Sequence, residues 1–177
     1  MYYTGKGDKG TSKLFNSASR INKSEQIFSV LGTLDELNSF VGFCSTLAGN
    51  YDDLFKVLKI EQNRLFSLQA HFAGARLGFT PEIIAELESS INNLSKKIKP
   101  RNSFVVPGGS QLSAALDVAR TLARRAEREA LGLREEEKNR YNQLSFVYLN
   151  RLSSWFYVLA RYANDLAGVD ENAPQYL

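Results

Sequence analysis

The apolar residues of this chain recur at intervals of three and four from about residue 24 onwards, which is the period of an amphipathic helix. Five such stripes follow one another: Ile27 to Cys44, Leu54 to Phe72, Ile84 to Ile98, Leu112 to Leu133 and Leu149 to Leu166. No alternating segment predicts a strand. The pattern therefore predicts an all-α fold, an antiparallel five-helix bundle in which short connections join neighbouring helices.

Proline and glycine interrupt the helical pattern most clearly between the third and fourth stripes. Pro100 ends the third helix, and Pro107-Gly108-Gly109 cannot continue one, so residues 101–109 are predicted to form a loop. Ser110 follows directly and can cap the fourth helix. The loop contains Phe104, and an aromatic side chain in an exposed connection requires a reason.

The first 23 residues differ in composition from the rest. They hold five cations against one acid, so they carry a local charge of +4 in a chain whose formal net charge is +3. A length of 177 residues fits one domain. We predict a flexible N-terminal segment over residues 1–23 and a single-domain bundle over residues 24–177. Positive charge gathered at one end suits an anionic ligand better than a nucleic acid, which favours a basic surface over a whole domain.

The stretch TGKGDKGTSK, residues 4–13, combines three glycines, three lysines and several hydroxyl groups. These are the components of a backbone cradle for phosphate oxygens. The stretch is not a Walker loop, because no lysine stands directly after Gly10 and no strand precedes the stretch. The alternative is a basic tail without a ligand.

Three arginines, Arg120, Arg124 and Arg128, follow at intervals of four in the fourth helix and therefore share one face. Like charges at this spacing repel, so a neighbouring acid or an external anion is expected to compensate them. Glu127 can orient Arg124, and a solvated charged face is the alternative. In the first helix, Asp35 lies beside the apolar stripe and can either pair with an arginine across an interface or remain a surface acid.

The fifth helix carries a polar line on an otherwise apolar surface. Its members are Asn150, Ser154, Tyr157, Arg161 and Asn164. A polar line on a helix of this kind requires polar partners. Hydrogen bonds between helices, subunit contacts and a ligand site all satisfy this requirement.

The chain contains one cysteine, Cys44, and one histidine, His71. This excludes an internal disulfide and leaves too few ligands for a structural zinc site or a Cys/His catalytic pair. General acid–base catalysis near neutral pH usually recruits histidine or a tuned pair of carboxylates, and neither is evident. Displacement of a polyphosphate from carbon fits better, because it requires only an aligned nucleophile and positive charge around the leaving oxygens.

No stretch reaches the roughly 18 uninterrupted apolar residues of a membrane-spanning helix, and the N-terminal residues contain no apolar signal core. We therefore expect a cytoplasmic protein without a membrane or nucleic-acid partner. RNA binding through residues 120–128 is a weaker alternative, because the aromatic residues lie at core spacing.

Four segments of the chain match a known family in order. They read TGKGDKGTSKLF at the N-terminus, GTLDELNSFVGF in the first helix, FVVPGGSQLSAALDVARTLARRAERE from the loop into the fourth helix, and YLNRLSSWFYVLARYAN in the fifth. With these segments the chain resembles the PduO-type ATP:cob(I)alamin adenosyltransferases over nearly its whole length. The resemblance implies a ferritin-like bundle of the cobalamin adenosyltransferase type, assembled as a homotrimer with active sites at the subunit interfaces.

The resemblance also implies the residues of the site. Those that would bind ATP, with Mg²⁺ on its triphosphate, are Thr4, Gly5, Lys6, Gly7, Ser12, Lys13, Lys23, Arg124, Arg125, Glu127, Arg128 and Asn150. Those implied to be catalytic are Asp35, Arg120, Arg124 and Phe104. Asp35 and Arg120 would bridge neighbouring subunits, and Phe104 would occupy the lower face of the corrin and keep the dimethylbenzimidazole base off cobalt. No residue is expected to ligate a metal ion.

The activity that the resemblance implies is transfer of the 5′-deoxyadenosyl group of ATP to cob(I)alamin, which forms adenosylcobalamin and releases triphosphate. Cobalt is then the nucleophile, so the lack of a catalytic histidine is expected. A reductase and an adenosylcobalamin-dependent enzyme are the expected protein partners. The alternative is a non-catalytic bundle that binds ATP and a corrinoid and delivers the cofactor, because its binding residues would look the same.

Overall fold

The computed structural model describes residues 2–15, 17–101, 103–136 and 140–176. Five helices dominate it: α1 Gln26–Leu47, α2 Asp52–Phe72, α3 Pro81–Ser95, α4 Gln111–Glu136 and α5 Gln143–Leu166. The prediction of an all-α five-helix bundle is confirmed.

Two short strands precede the helices, so the prediction that the chain has no strands is wrong. β1 Thr11–Ser12 pairs with β2 Ile21–Asn22 in an antiparallel hairpin, with Thr11 opposite Asn22 and Ser12 opposite Ile21. Strands of two residues are too short to produce an alternating pattern, which explains why periodicity did not reveal them.

Several helix ends follow the local chemistry of the sequence, but the prediction that Pro100 ends the third helix is wrong, because α3 already ends at Ser95. Pro81 stands in the first turn of α3, where its missing N–H costs nothing. The Ser110 hydroxyl accepts a hydrogen bond from Ser113 N at 3.2 Å, which confirms its predicted role at the start of α4. Asn142 caps α5 by accepting from Leu144 N at 2.9 Å.

Helix α4 lies in the middle of the bundle. It packs against α1 on one side and α5 on the other, while α2 covers α1 and α3 covers α5. A row of fully buried alanines, Ala119, Ala123, Ala126 and Ala130, allows the neighbouring helices to approach α4 closely. The backbone that carries the arginine row is therefore held from two sides.

Helix α1 is long and apolar enough to cross a membrane by length and composition alone, with 22 residues and a mean hydropathy of 1.2. Its apolar stripe, from Ile27 to Cys44, is buried in the core of the bundle. Two charged residues, Asp35 and Glu36, lie in the middle of this helix and interrupt its apolar sequence. We interpret α1 as a core helix of the bundle.

A buried carboxyl connects α2 to α5. Glu61 is 1% exposed, and the single Tyr148 hydroxyl donates to its carboxyl group, with Oη 2.8 Å from Oε1 and 2.6 Å from Oε2. Burial raises the pKa of Glu61 to about 7, against the opposing effects of the Tyr148 hydrogen bond and the Arg64 charge. Burial and the nearby Glu61 carboxylate also raise the pKa of Tyr148.

Stability should depend on pH through Glu61. The pKa of this group is higher in the folded chain than its ordinary value of 4.5, so the folded state binds more protons than the unfolded state in the window between 4.5 and about 7. The free energy of unfolding should therefore fall as pH rises through that window, by on the order of 2 kcal/mol. Urea unfolding at about pH 5 and about pH 8 measures this slope.

The Glu61→Gln variant should lose most of that slope, because the amide keeps the shape of the side chain without its titration. The exposed acid Glu25 provides the matched control, and Glu25→Gln should keep the wild-type slope. An unchanged slope in Glu61→Gln would contradict the assignment.

Candidate active site

The loop between α3 and α4 forms one wall of a surface cavity of about 410 Å³. On this loop Phe104 is 80% exposed, so its ring is accessible to a ligand. Helix α4 contributes Arg120 and Arg124 to the same cavity, and α5 contributes Ser154 and Tyr157. The cavity thus combines a free aromatic ring with guanidinium groups, which suits a ligand that is partly flat and apolar and partly anionic.

The three arginines of α4 lie on one face, as their spacing predicted, but their surroundings differ. Arg120 is paired, with its Nε 3.4 Å from Asp117 Oδ1. Arg124 and Arg128 are exposed. Because repulsion within such a row is unfavourable, an anion bound beside Arg124 and Arg128 would be stabilised.

Three other predicted ATP-binding residues connect α4 to its neighbours. Arg125 pairs with Glu36 of α1. Glu127 Oε1 accepts a hydrogen bond from Asn150 Nδ2 of α5 at 2.7 Å. The partner of Glu127 is therefore Asn150 and not Arg124, which the sequence suggested. The structure thus brings together two of the predicted ATP-binding residues, Glu127 and Asn150.

The inner end of the polar line on α5 is buried. Arg161 is 1% exposed, and its Nη2 donates to Asp117 Oδ2 at 2.5 Å. The Asn164 side chain accepts from Ser110 N at 2.9 Å and donates to Gly108 O at 3.0 Å. Of the alternatives for this line, hydrogen bonds between elements account for Arg161 and Asn164.

A group of charged residues beside the loop between α3 and α4 was not predicted from the sequence. Glu171, in the C-terminal tail, pairs with Arg101 and has Oε1 2.6 Å from Arg161 Nε. Arg101 Nη2 lies 3.1 Å from Asp165 Oδ1. Arg101 and Glu171 belong to no periodic stripe, so their contact cannot be predicted from the sequence. The polar line that contains Arg161 was the one feature of the sequence that pointed to this group.

Gly109 allows the loop to lie directly against α5. Its φ of +99° is in the left-handed region that disfavours side chains. A Cβ at this position would lie 2.6 Å from side-chain atoms of Asn164. The glycine is therefore required where the Phe104 loop turns into α4.

The N-terminal hairpin brings together two of the predicted ATP-binding residues. Lys23 N donates to Gly10 O at 2.8 Å, and a Cβ on Gly7 would lie 3.0 Å from Lys23 Nζ. The lysine ammonium thus lies over the glycine-rich turn. Arg20, which sequence reasoning did not select, also contributes, because its Nη2 donates to Thr11 O at 2.5 Å.

The remaining predicted residues of this segment are accessible to solvent. Thr4, Gly5, Lys6 and Lys13 are exposed, and Ser12 is partly buried. None of them lines the cavity that contains Phe104. Within one chain, therefore, the described residues do not join the N-terminal cations to that cavity.

Asp35 lies at a different surface groove, of about 820 Å³, whose lining includes Phe15, Phe28 and Phe66. Arg120 lines the Phe104 cavity and pairs with Asp117. Over the part of the chain that the structure describes, Asp35 and Arg120 form no ion pair with each other.

Cys44 and His71 lie away from the Phe104 cavity. Burial raises the pKa of the Cys44 thiol to about 12, and burial lowers the pKa of His71. His71 Nε2 accepts a hydrogen bond from Asn142 N at 3.2 Å. The described residues contain no group of three or more His, Cys, Asp and Glu side chains that could hold a metal ion.

Fold and site together define an all-α bundle with a cationic surface cavity and an exposed loop aromatic. The family model described as cobalamin adenosyltransferase matches residues 2–163, and the chain therefore belongs to this family.

Individual relatives agree with the family match. The chain is 36% identical over 166 residues to corrinoid adenosyltransferase PduO of Salmonella typhimurium, and the match covers 90% of this chain but only about half, 48%, of that protein. It is 34% identical over 176 residues to a corrinoid adenosyltransferase of Bacillus subtilis, covering 96% of this chain and 89% of the relative.

A solved structure extends the likeness to three dimensions. It is a variant PduO-type ATP:corrinoid adenosyltransferase from Lactobacillus reuteri, complexed with cobalamin and ATP. Its chain matches this one with a TM-score of 0.92 and 32% sequence identity, and the match covers 99% of this chain and 97% of that chain.

Proposed function

We propose that this chain transfers the 5′-deoxyadenosyl group of ATP to cob(I)alamin and releases triphosphate. The observation that carries the proposal is the shared cavity in which the exposed Phe104 ring stands beside Arg120 and Arg124. The ring supplies a surface for a flat macrocycle, and the guanidinium groups supply charge for a polyphosphate. Family membership and the relatives above support the same reaction.

The proposed reaction requires alignment and positive charge. The electron pair of cobalt(I) attacks the 5′ carbon of ATP, a cobalt–carbon bond forms, and the C5′–O bond breaks. The bond pair leaves with triphosphate while cobalt is oxidised from (I) to (III), and no proton moves. The arginines of the cavity would stabilise the charge on the leaving oxygens, and no general base is required.

We propose that Mg²⁺ enters this site as a companion of the nucleotide. Mg²⁺ is commonly held by substrate phosphates and few protein oxygens. The described residues offer no three-carboxylate cluster to hold it, so we assign it no protein ligand. The predicted ATP-binding residues of α4 and of the N-terminal hairpin would instead contact the triphosphate oxygens.

We further propose that the chain works as a homotrimer with sites between subunits. The separation of Asp35 from Arg120, and of the N-terminal lysines from the Phe104 cavity, supports a shared site. The groove beside Asp35 is rich in aromatic side chains, as an interface core often is. A cytoplasmic location, a reductase that supplies cobalt(I) and a dependent enzyme that receives the product belong to the same proposal.

The Asp35→Asn variant should weaken assembly, because it removes one member of the proposed interfacial ion pair. We expect the dissociation constant of the oligomer, measured by analytical ultracentrifugation, to rise about tenfold or more. Asp52→Asn, at the exposed start of α2, should leave it unchanged. A monomeric wild-type chain would contradict the trimer, and equal assembly of both variants would contradict the role of Asp35.

A single-turnover assay separates catalysis from delivery. Chemically reduced cobalamin is mixed with excess protein and Mg·ATP, and the cobalt–carbon bond is followed by absorbance together with triphosphate release. An adenosyltransferase gives stoichiometric amounts of both products. A carrier would bind both ligands and form neither product, which would refute the proposed reaction.

A further inference from the structure

The C-terminal tail holds the Phe104 loop on both sides of the aromatic residue. Before Phe104, Arg101 pairs with Glu171 of the tail. Arg101 also pairs with Asp165, in the last turn of α5, at 3.1 Å. After it, Val106 N donates to Asn172 O at 2.9 Å. Contacts with the C-terminal tail, which lies outside the five helices, therefore hold the loop in position.

Glu171 is the central residue of this attachment. Its side chain is 4% exposed, and it contacts three residues, one on the loop and two on α5. It pairs with Arg101 on the loop, lies 2.6 Å from Arg161 Nε on α5, and accepts from Asn164 Nδ2 at 2.7 Å. A carboxylate with this many charged contacts in a buried position fixes the geometry of its partners.

The same network extends to the arginine row of α4. Arg161 donates to Asp117 at 2.5 Å, and Asp117 lies 3.4 Å from Arg120. The network balances three cations with three acids: Arg101, Arg120, Arg161, Asp117, Asp165 and Glu171. Loss of one carboxylate would leave its arginines undercompensated in a largely buried setting.

We propose that Glu171 is a positioning residue for adenosyl transfer, which rests on the function proposed above. Its carboxylate holds the Phe104 loop through Arg101, and it sets the position of Arg120 through Arg161 and Asp117. Glu171 does not line the cavity, so it acts through these partners. Active-site groups must be held to within about 0.5 Å, and a displacement of about 1 Å can cost about a hundredfold in rate.

The Glu171→Gln variant tests this role, because glutamine keeps the size and loses the charge. With wild-type turnover established first, we expect kcat to fall roughly tenfold to a hundredfold while KM for ATP changes less than about threefold. The absorption spectrum of cob(II)alamin bound with ATP should show that a smaller fraction of the cob(II)alamin has lost its lower ligand than in wild type. Circular dichroism should show unchanged helical content.

Two further variants keep the test decisive. Asp170→Asn removes the adjacent carboxylate, whose pair with Lys99 is solvent-exposed, and it should match wild type in rate and spectrum. Arg101→Gln breaks the attachment from the loop side and should reproduce the spectral change even if Glu171→Gln folds poorly. If the wild type is active and both Glu171→Gln and Arg101→Gln show the wild-type kcat and spectrum, the proposed positioning role of Glu171 is wrong. An inactive wild type would refute the proposed function instead.

Discussion

The Arg124→Ala variant should lower kcat/KM for adenosyl transfer by about 10²- to 10³-fold. Arg124 is an exposed cation in the Phe104 cavity, where triphosphate is proposed to leave. Loss of one charge-assisted contact to a developing anion in such a site costs on the order of 3 kcal/mol in the transition state. Initial rates with pre-reduced cobalamin and Mg·ATP measure the effect.

Two variants define the origin of that loss. Lys56→Ala removes a cation from the exposed surface of α2 and should keep the wild-type rate. Arg124→Lys keeps the charge but loses the planar, bidentate geometry, so its rate should lie between those of wild type and Arg124→Ala. Wild-type turnover in a folded Arg124→Ala variant would show that triphosphate leaves elsewhere.

The Phe104→Ala variant should lower kcat about a hundredfold and abolish the spectral change of bound cobalamin. In the proposed site the ring occupies the lower face of the corrin, and its 80% exposure leaves it free to do so. Without the ring, the dimethylbenzimidazole base stays on cobalt, and reduction to cobalt(I) becomes harder. A hundredfold loss corresponds to about 3 kcal/mol added to the barrier of a turnover that includes this reduction.

Absorption spectra of cob(II)alamin with protein and ATP report the coordination number directly. Val106→Ala shortens another partly exposed apolar side chain of the same loop and should retain the wild-type spectrum. If Phe104→Ala still converts bound cob(II)alamin to the form without a lower ligand, Phe104 has another role. Chemically pre-reduced cobalamin should restore much of the rate, because that experiment bypasses the difficult reduction.

Periodicity was sufficient for the helices, because each must bury one face and therefore repeats every three to four residues. The same periodicity placed Arg120, Arg124 and Arg128 on one side of α4. Phe104 gave the clearest local signal, since an aromatic residue in an exposed connection has no packing reason. The structure places it in one cavity with Arg120 and Arg124.

Contacts between residues that are far apart in the sequence could not be predicted from the sequence. Glu171 and Arg101 are separated by the whole of α4 and α5, and only the course of the tail brings them together. The partner of Glu127 was also unpredictable, because Arg124 lies nearer in sequence whereas Asn150 approaches from another helix. Pairs between elements depend on helix rotation and crossing, which a stripe of apolar residues fixes only coarsely.

The central place of α4 has a consequence for the energetics of ligand capture. Helices α1 and α5 fix the backbone of the arginine row during folding. The conformational entropy of this backbone is therefore lost on folding and not on nucleotide binding. Within the arginine row, only the side-chain torsions of Arg124 and Arg128 then remain to be ordered. The bundle thus acts as a preorganised electrostatic template, whose reorganisation energy on binding is small.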